Sequence, residues 1–208
     1  MLLDFDYLVK KYKLDIKGVL HIGAHQMNEL DIYQKNNIKN IIGFEPVPST
    51  FKILEENIRK YPEINITLVN KALGNSSGKI KMYTEQANQG QSNSILKPKI
   101  HVNQYPHIVF NGQVEIDIMK LDNYNDISLT NYNLINIDVQ GYELEVFKGA
   151  IETLNNIDYI ICEVNRAEIY EGCPMVEELD EFLKIFNFIR VETSWDGVNW
   201  GDAFYIKS

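Results

Sequence analysis

The chain has 208 residues, a length that suits one domain whose core folds without disulfide or metal staples. Its 20 Lys and Arg against 29 Asp and Glu give a net charge of -9, which argues against a broad phosphate-binding face and so against duplex nucleic acid as the main partner. The two cysteines, Cys162 and Cys173, are too few for a disulfide framework, and neither a cationic-then-apolar leader nor an apolar run of membrane length is present; secretion and membrane spanning are disfavoured and a reducing, cytoplasmic setting is expected.

Residues 4–13 carry Phe5, Leu8, Val9 and Tyr12 at spacings of three and four, which predicts an amphipathic helix packed across the sheet ahead of the first strand. Over residues 18–45 an apolar strand runs into the turn Gly23-Ala24-His25, a helix follows over about 28–35, and a second apolar strand ends on Glu45. This is a βαβ unit whose strand ends face one crevice. A dinucleotide fingerprint needs three glycines to admit a pyrophosphate, and this turn has Gly23 alone. Glu45 follows at the distance where an acid ending the second strand accepts both hydroxyls of a ribose. A ribose site without a diphosphate cradle fits a nucleoside cofactor, with S-adenosylmethionine as the candidate. Ile22 and Pro46 flank the turn and the acid, while Glu29, in the first turn of the helix, suits the helix dipole and can face a cationic ligand. The plainer alternative is an ordinary α/β turn with Glu45 in solvent.

After Glu45, Pro46 and Pro48 punctuate a loop; Ser49 or Thr50 is predicted to cap a helix bearing Phe51, Leu54 and Ile58, which Pro62 ends. Residues 64–69 read as a third, buried strand. Residues 70–74 then fall where an adenine would be clamped between backbone and small side chains, with Lys71 and Ala72 at that wall. Beyond Gly78 two alternating runs, 79–83 and 114–119, enclose residues 86–112, rich in Asn, Gln and Ser and carrying Pro98, His101, Pro106 and His107. An irregular stretch of that length in a compact domain is usually a lid, a binding loop or disordered; the segment 78–120 is expected to be a hairpin and loop insertion forming a substrate cap, with a mobile polar loop of no role as the alternative.

Residues 134–143 return to a buried strand ending on Asp138, followed by a helix with Leu144, Phe147, Ile151 and Leu154 on one face. Asp138 and the Gly23 turn are expected to share the crevice. A fifth strand over 159–164 carries Glu163 towards its end, and a helix over 175–186 buries Val176, Leu179, Phe182, Leu183 and Phe186. Two closing strands, 188–193 and 202–206, form a hairpin whose turn holds Trp195 and Trp200, either at a ligand mouth or packing the turn. For a hydroxyl acceptor, Asp138 is the first candidate general base, with Glu163 and His25 behind it. A cation held by Asp138 and Glu163 is the alternative route. The histidines fall in pairs, His21 with His25 and His101 with His107, without ligand spacing, so no metal site is expected.

The Gly-Ala-His turn, the strand ending Phe-Glu-Pro, the run Asn-Lys-Ala-Leu-Gly-Asn, the block from Asp138 to Ala150 and Cys-Glu-Val-Asn occur in that order. Together they resemble the FkbM family of S-adenosylmethionine-dependent methyltransferases over about residues 18–170. The resemblance implies an α/β class I methyltransferase (Rossmann-like) three-layer sandwich, with a mostly parallel seven-stranded sheet and an antiparallel C-terminal hairpin. It also implies O-methylation of a hydroxyl on a sugar, glycan or small natural product. Carried over by position, Gly23, Ala24 and His25 resemble the cofactor turn, Glu45 the ribose acid, Ala72 part of the adenine wall and Asp138 the acid beside the methyl donor. The chain departs from the family at His21, Asn136 and Gln140, where Asp, Lys and Glu are more usual. Two other classes compete: a non-catalytic binding module that retains the fold, and a nicotinamide-dependent oxidoreductase, which would need the phosphate cradle. A small-molecule or glycan acceptor, no nucleic acid, no membrane and compatibility with a homodimer complete the expectations.

Overall fold

The computed structural model describes residues 1–125, 128–197 and 199–208. In chain order the elements are α1 (Phe5–Tyr12), β1 (Val19–Ile22), α2 (Leu30–Lys35), β2 (Asn40–Phe44), α3 (Pro48–Asn57), β3 (Asn65–Val69), β4 (Ala72–Leu73), β5 (Gly78–Thr84) and α4 (His101–Gln104). They continue with β6 (Gly112–Met119), β7 (Leu134–Ile137), α5 (Glu143–Lys148), α6 (Ile151–Leu154), β8 (Tyr159–Asn165), α7 (Val176–Lys184), β9 (Phe188–Asp196) and β10 (Trp200–Lys207).

Seven strands form the main sheet in the order β3-β2-β1-β7-β8-β10-β9. All neighbours pair in parallel except β10, which runs antiparallel to both β8 and β9. This is the expected class I methyltransferase sheet with its reversed C-terminal hairpin. Because β1 and β7 are neighbours from opposite halves of the chain, the connections diverge above them and leave a crevice at their C-terminal ends.

The central strands are apolar on both faces because helices cover both. Leu20, Ile22, Ile42, Phe44, Ile135 and Ile137 pack with Val146, Phe147, Leu154, Leu179 and Leu183 from α5, α6 and α7. On the opposite face Val19, Ile41, Leu134, Ile161 and Phe204 pack with Phe5, Leu8, Leu30, Tyr33 and Leu54 from α1, α2 and α3. Asp4 caps α1 through Tyr7 N–H at 3.0 Å, as its position before the periodic residues suggests.

Several local expectations are corrected. The predicted cap of α3 at Ser49 or Thr50 is wrong: Pro48 occupies the first turn and Val47 precedes it, because a ring-locked φ suits the helix start. The strand predicted as buried over 64–69 is the sheet edge, so its residues are half-exposed. The single helix expected after Asp138 is split into α5 and α6 at Gly149. There a Cβ would lie 2.0 Å from the Gly74 carbonyl oxygen, and the close approach of that backbone breaks the helix and leaves Ile151 on the surface. The closing hairpin forms; Val198, within its predicted turn, lies outside the described residues.

The predicted insertion contains a small second sheet, β4-β6-β5, in which β5 and β6 form the expected antiparallel pair and β6 takes β4 in parallel. Its irregular part is docked rather than free. Lys99 N–H and His101 N–H donate to the Ile169 carbonyl at 2.9 and 3.2 Å, and Glu171 N–H donates to the Lys97 carbonyl at 2.7 Å. His101, buried against Tyr105, Phe110 and Tyr170, is a packed core group of this segment. Trp200 Nε1 donates to the Tyr105 hydroxyl at 2.9 Å, and the Arg166 guanidinium stacks 3.6 Å from the Trp195 ring, so both tryptophans tie the hairpin to its neighbours. Among the described residues no helix is long and apolar enough to cross a membrane.

Candidate cofactor and acceptor crevice

The crevice, about 270 Å³, opens where β1, β2 and β7 end. Its first wall is the turn after β1. Gly23 has φ +77°, and a Cβ there would stand 1.9 Å from the Asp138 carbonyl oxygen, so only glycine fits. The N–H groups of Gly23 and Ala24 both donate to the Phe44 carbonyl, at 3.0 and 2.9 Å. The next N–H, of His25, donates to Glu45 Oε2 at 2.9 Å. All three donors that a pyrophosphate would require are therefore committed, and α2 begins only at Leu30, beyond the turn.

Glu45 is 5% exposed, and its other oxygen accepts the Val47 N–H at 2.8 Å. Burial pushes its carboxyl up to about 7, against the opposing pull of those two backbone bonds. Each carboxylate oxygen accepts one of these bonds and has capacity for a second, the requirement for receiving two vicinal hydroxyls. Pro46, Lys71 and the small, buried Ala72 line the same end, with Ile22, Ala24 and Glu29 along the floor. Glu29 Oε2 lies 3.9 Å from His21 Nε2. Beneath them is a buried polar chain: Asn136 Nδ2 donates to the Tyr33 hydroxyl at 2.7 Å, and that hydroxyl meets His21 Nδ1 at 3.3 Å. Burial pushes the His21 imidazole down, toward its neutral form.

The opposite wall is acidic. Asp138 stands exposed at the end of β7, and Glu163, only 4% exposed, lies behind it on β8. Both accept from one amide: Gln140 Nε2 is 2.8 Å from Asp138 Oδ1 and 2.6 Å from Glu163 Oε2. Glu143, fully buried, accepts the N–H groups of Val139 and Gly141 at 3.0 and 3.1 Å and so shapes the turn after β7; its Oε2 has no partner among the described residues. Burial pushes Glu143 up to about 7, and burial with the nearby Asp138 charge pushes Glu163 well above the carboxylate range. Asp202 on β10 is also raised by burial.

The insertion supplies the roof, with Gly90, Gln91, Asn93 and Ile95 over the crevice and Met82 of β5 beside them. His25 Nε2 meets the Gln89 carbonyl at 2.9 Å across the opening. Every residue that the sequence assigned to cofactor or catalysis thus borders this one crevice. The sequence reading expected a cap from this segment but named none of its residues as lining the site, and it gave Gln140 and Glu143 no role there. Gln140 and Glu143 lie in the block most specific to the resemblance, which was the available signal.

Residues 21–190 match the methyltransferase FkbM domain. The chain is 28% identical over 152 residues to the 2-O-methyltransferase NoeI of Sinorhizobium fredii, covering 70% of this chain and 62% of that protein. It is 29% identical over 127 residues to the hexuronic acid methyltransferase AglP of Haloferax volcanii, covering 61% of this chain and 47% of that protein. The matches therefore span about half to three-fifths of these relatives' lengths. In fold it is similar to the magnesium protoporphyrin IX methyltransferase of Synechocystis PCC 6803 with bound S-adenosylmethionine, with TM-score 0.54, 11% identity and coverage of 98% of this chain and 76% of that one.

Proposed function

This chain belongs to the FkbM methyltransferase family, and from that premise we propose that it transfers the methyl group of S-adenosylmethionine to a hydroxyl of a sugar or glycan. The observation that carries the reading is the state of the Gly23 turn. Its N–H groups are spent on Phe44 and Glu45, which disfavours a diphosphate and so a nicotinamide cofactor, while Glu45 keeps two lone pairs for a ribose. A sugar acceptor is suggested by the name of the hexuronic acid methyltransferase, and an oxygen as the methylated atom by that of the 2-O-methyltransferase. The roof suits them as well, since Gln91 and Asn93 offer amides to hydroxyls beside the apolar Met82 and Ile95.

In this reading Glu45 holds the ribose, Ala72 with Lys71 and Pro46 borders the adenine, and Glu29 and Asp138 face the cationic end of the donor. When bound, S-adenosylmethionine supplies a methyl group on a sulfonium, open to in-line displacement. The protein's work is alignment, exclusion of water and acceptance of one proton. Asp138, exposed to the crevice and steadied by Gln140, receives the hydroxyl proton; Glu163 supports it from behind and His25 closes the donor side. At about 270 Å³ the crevice is at the lower end of small-ligand sites, with Gly90 and Gln91 of the insertion at its edge.

The test is incubation with S-adenosylmethionine and a panel of neutral and acidic glycans, read by mass spectrometry. The expected result is one added methyl per glycan matched by S-adenosylhomocysteine, with Asp138→Asn lowering turnover by roughly 10²–10⁴-fold. Methylation of small phenols or nucleic acids in place of every glycan would overturn the acceptor assignment.

A further inference from the structure

The turn after β7 places one side chain, Gln140, at the meeting point of four segments. Its φ of +53° is unusual for a residue with a side chain, and the conformation is held from outside. The Ser94 hydroxyl, from the insertion, donates to its carbonyl at 2.7 Å, and Glu143 binds the N–H groups on either side of it. The amide has two hydrogens and both are used, one on Asp138 and one on Glu163. Its oxygen accepts the Tyr170 hydroxyl at 2.7 Å, which fixes which end of the amide faces the acids. Tyr170 is itself fully buried and also 3.0 Å from the Ser92 carbonyl of the insertion.

We propose that Gln140 is a positioning residue for the acid pair: its amide holds Asp138 toward the crevice and Glu163 behind it, and Tyr170 and Ser94 register that amide against the insertion. This rests on the reading of Asp138 as proton acceptor. The groups facing Glu163 are acidic: Asp138 after β7, Glu143 on α5 and Asp202 on β10, with the Tyr170 hydroxyl beyond the amide. In such surroundings the amide donates to both carboxyl groups, which also bond to each other, and adds no charge to the cluster. A donor hydrogen-bonded to a carboxylate favours its ionised form, so loss of the amide pushes Glu163 further up, and a third acid in its place does the same by repulsion. The bond to Ser94 links the arrangement to the roof, so the geometry of the acids follows the seating of the insertion.

The deciding experiment is a carbon-13 carboxyl titration of Glu163 in donor-free protein, which is independent of whether an acceptor has been found. Gln140→Leu and Gln140→Glu should each move its midpoint up by about one unit or more, and Tyr170→Phe by a smaller amount in the same direction. Where acceptor turnover is measurable, the acid limb of the pH profile should move with the titration. A Glu163 midpoint unchanged in the Gln140 variants, with only thermal stability lowered, would make Gln140 a structural residue and overturn the proposal. If Gln140→Leu fails to fold, Tyr170→Phe decides, and an unmoved midpoint there overturns it equally.

Discussion

On one side of the crevice the Gly23 turn and Glu45 are held mostly by main-chain N–H groups of β1, β2 and their flanking turns, with β3 and the Asn70 amide bracing Glu45 from the next strand. On the other side Asp138 and Glu163 are held by side chains that arrive from β7, β8, the insertion and the loop carrying Tyr170. The first region is local, rigid and dictated by a short stretch of sequence. The second is assembled over distances of up to 78 residues in sequence, as in the bond from the Tyr170 hydroxyl to the Ser92 carbonyl.

The strongest way to break the donor side is Gly23→Ala. A methyl group 1.9 Å from the Asp138 carbonyl, at a positive φ, forces β1 and β7 apart, and the expected loss of about 3 kcal/mol or more would be read by urea denaturation. The counterpart on the acceptor side is Gly141, at φ +94°, where a Cβ would stand 2.9 Å from the Cys173 Cβ, a milder clash with a side chain in place of a carbonyl.

The two sides should also separate by pH. Glu45 and Glu143 are both raised by burial to about 7, so each favours the folded chain while neutral. That contribution is fully present below about pH 4.5 and is lost as pH rises through 7, up to roughly 3 kcal/mol each at about 1.4 kcal/mol per unit. The ligand-free protein should therefore lose stability between pH 5 and 8, measured by denaturant midpoints. Glu143→Gln, whose retained oxygen can still accept both N–H groups, should flatten the slope. Donor affinity should run the opposite way, rising as Glu45 ionises, because ribose hydroxyls bind the carboxylate better than the acid.

A smaller effect is expected from Ser94→Ala. This fully buried hydroxyl donates to the Gln140 carbonyl and accepts the Leu96 N–H at 3.0 Å, so its removal should cost about 1–3 kcal/mol by thermal denaturation while leaving donor binding unchanged. The smallest belongs to His25→Ala, which removes the single bond to Gln89 across the opening. Stability should change by only about 0.5 kcal/mol, and amide exchange over residues 86–91 should quicken.

The same division explains what the sequence made legible. Strand ends on Glu45, Asp138 and Glu163 follow from apolar runs stopping at carboxylates, and the single glycine of the first turn is visible without coordinates. Gln140 and Glu143 lie in the block that carries the resemblance, but Glu143 reads as an ordinary acid in a helix's first turn. Its burial comes from α5 packing over the turn, which periodicity does not contain. Likewise the docking of residues 92–110 depends on Ile169 and Tyr170, and the break at Gly149 on Gly74; each is a contact between distant segments.

The central claim is that this crevice binds a nucleoside donor through Glu45 without a phosphate cradle. Calorimetry with S-adenosylmethionine and with NAD, on the parent chain and on Glu45→Ala, tests it most directly. The account predicts binding of S-adenosylmethionine, none of NAD, and a loss of about 1.5–3 kcal/mol in Glu45→Ala. Tighter binding of NAD, or S-adenosylmethionine binding indifferent to Glu45, would contradict it.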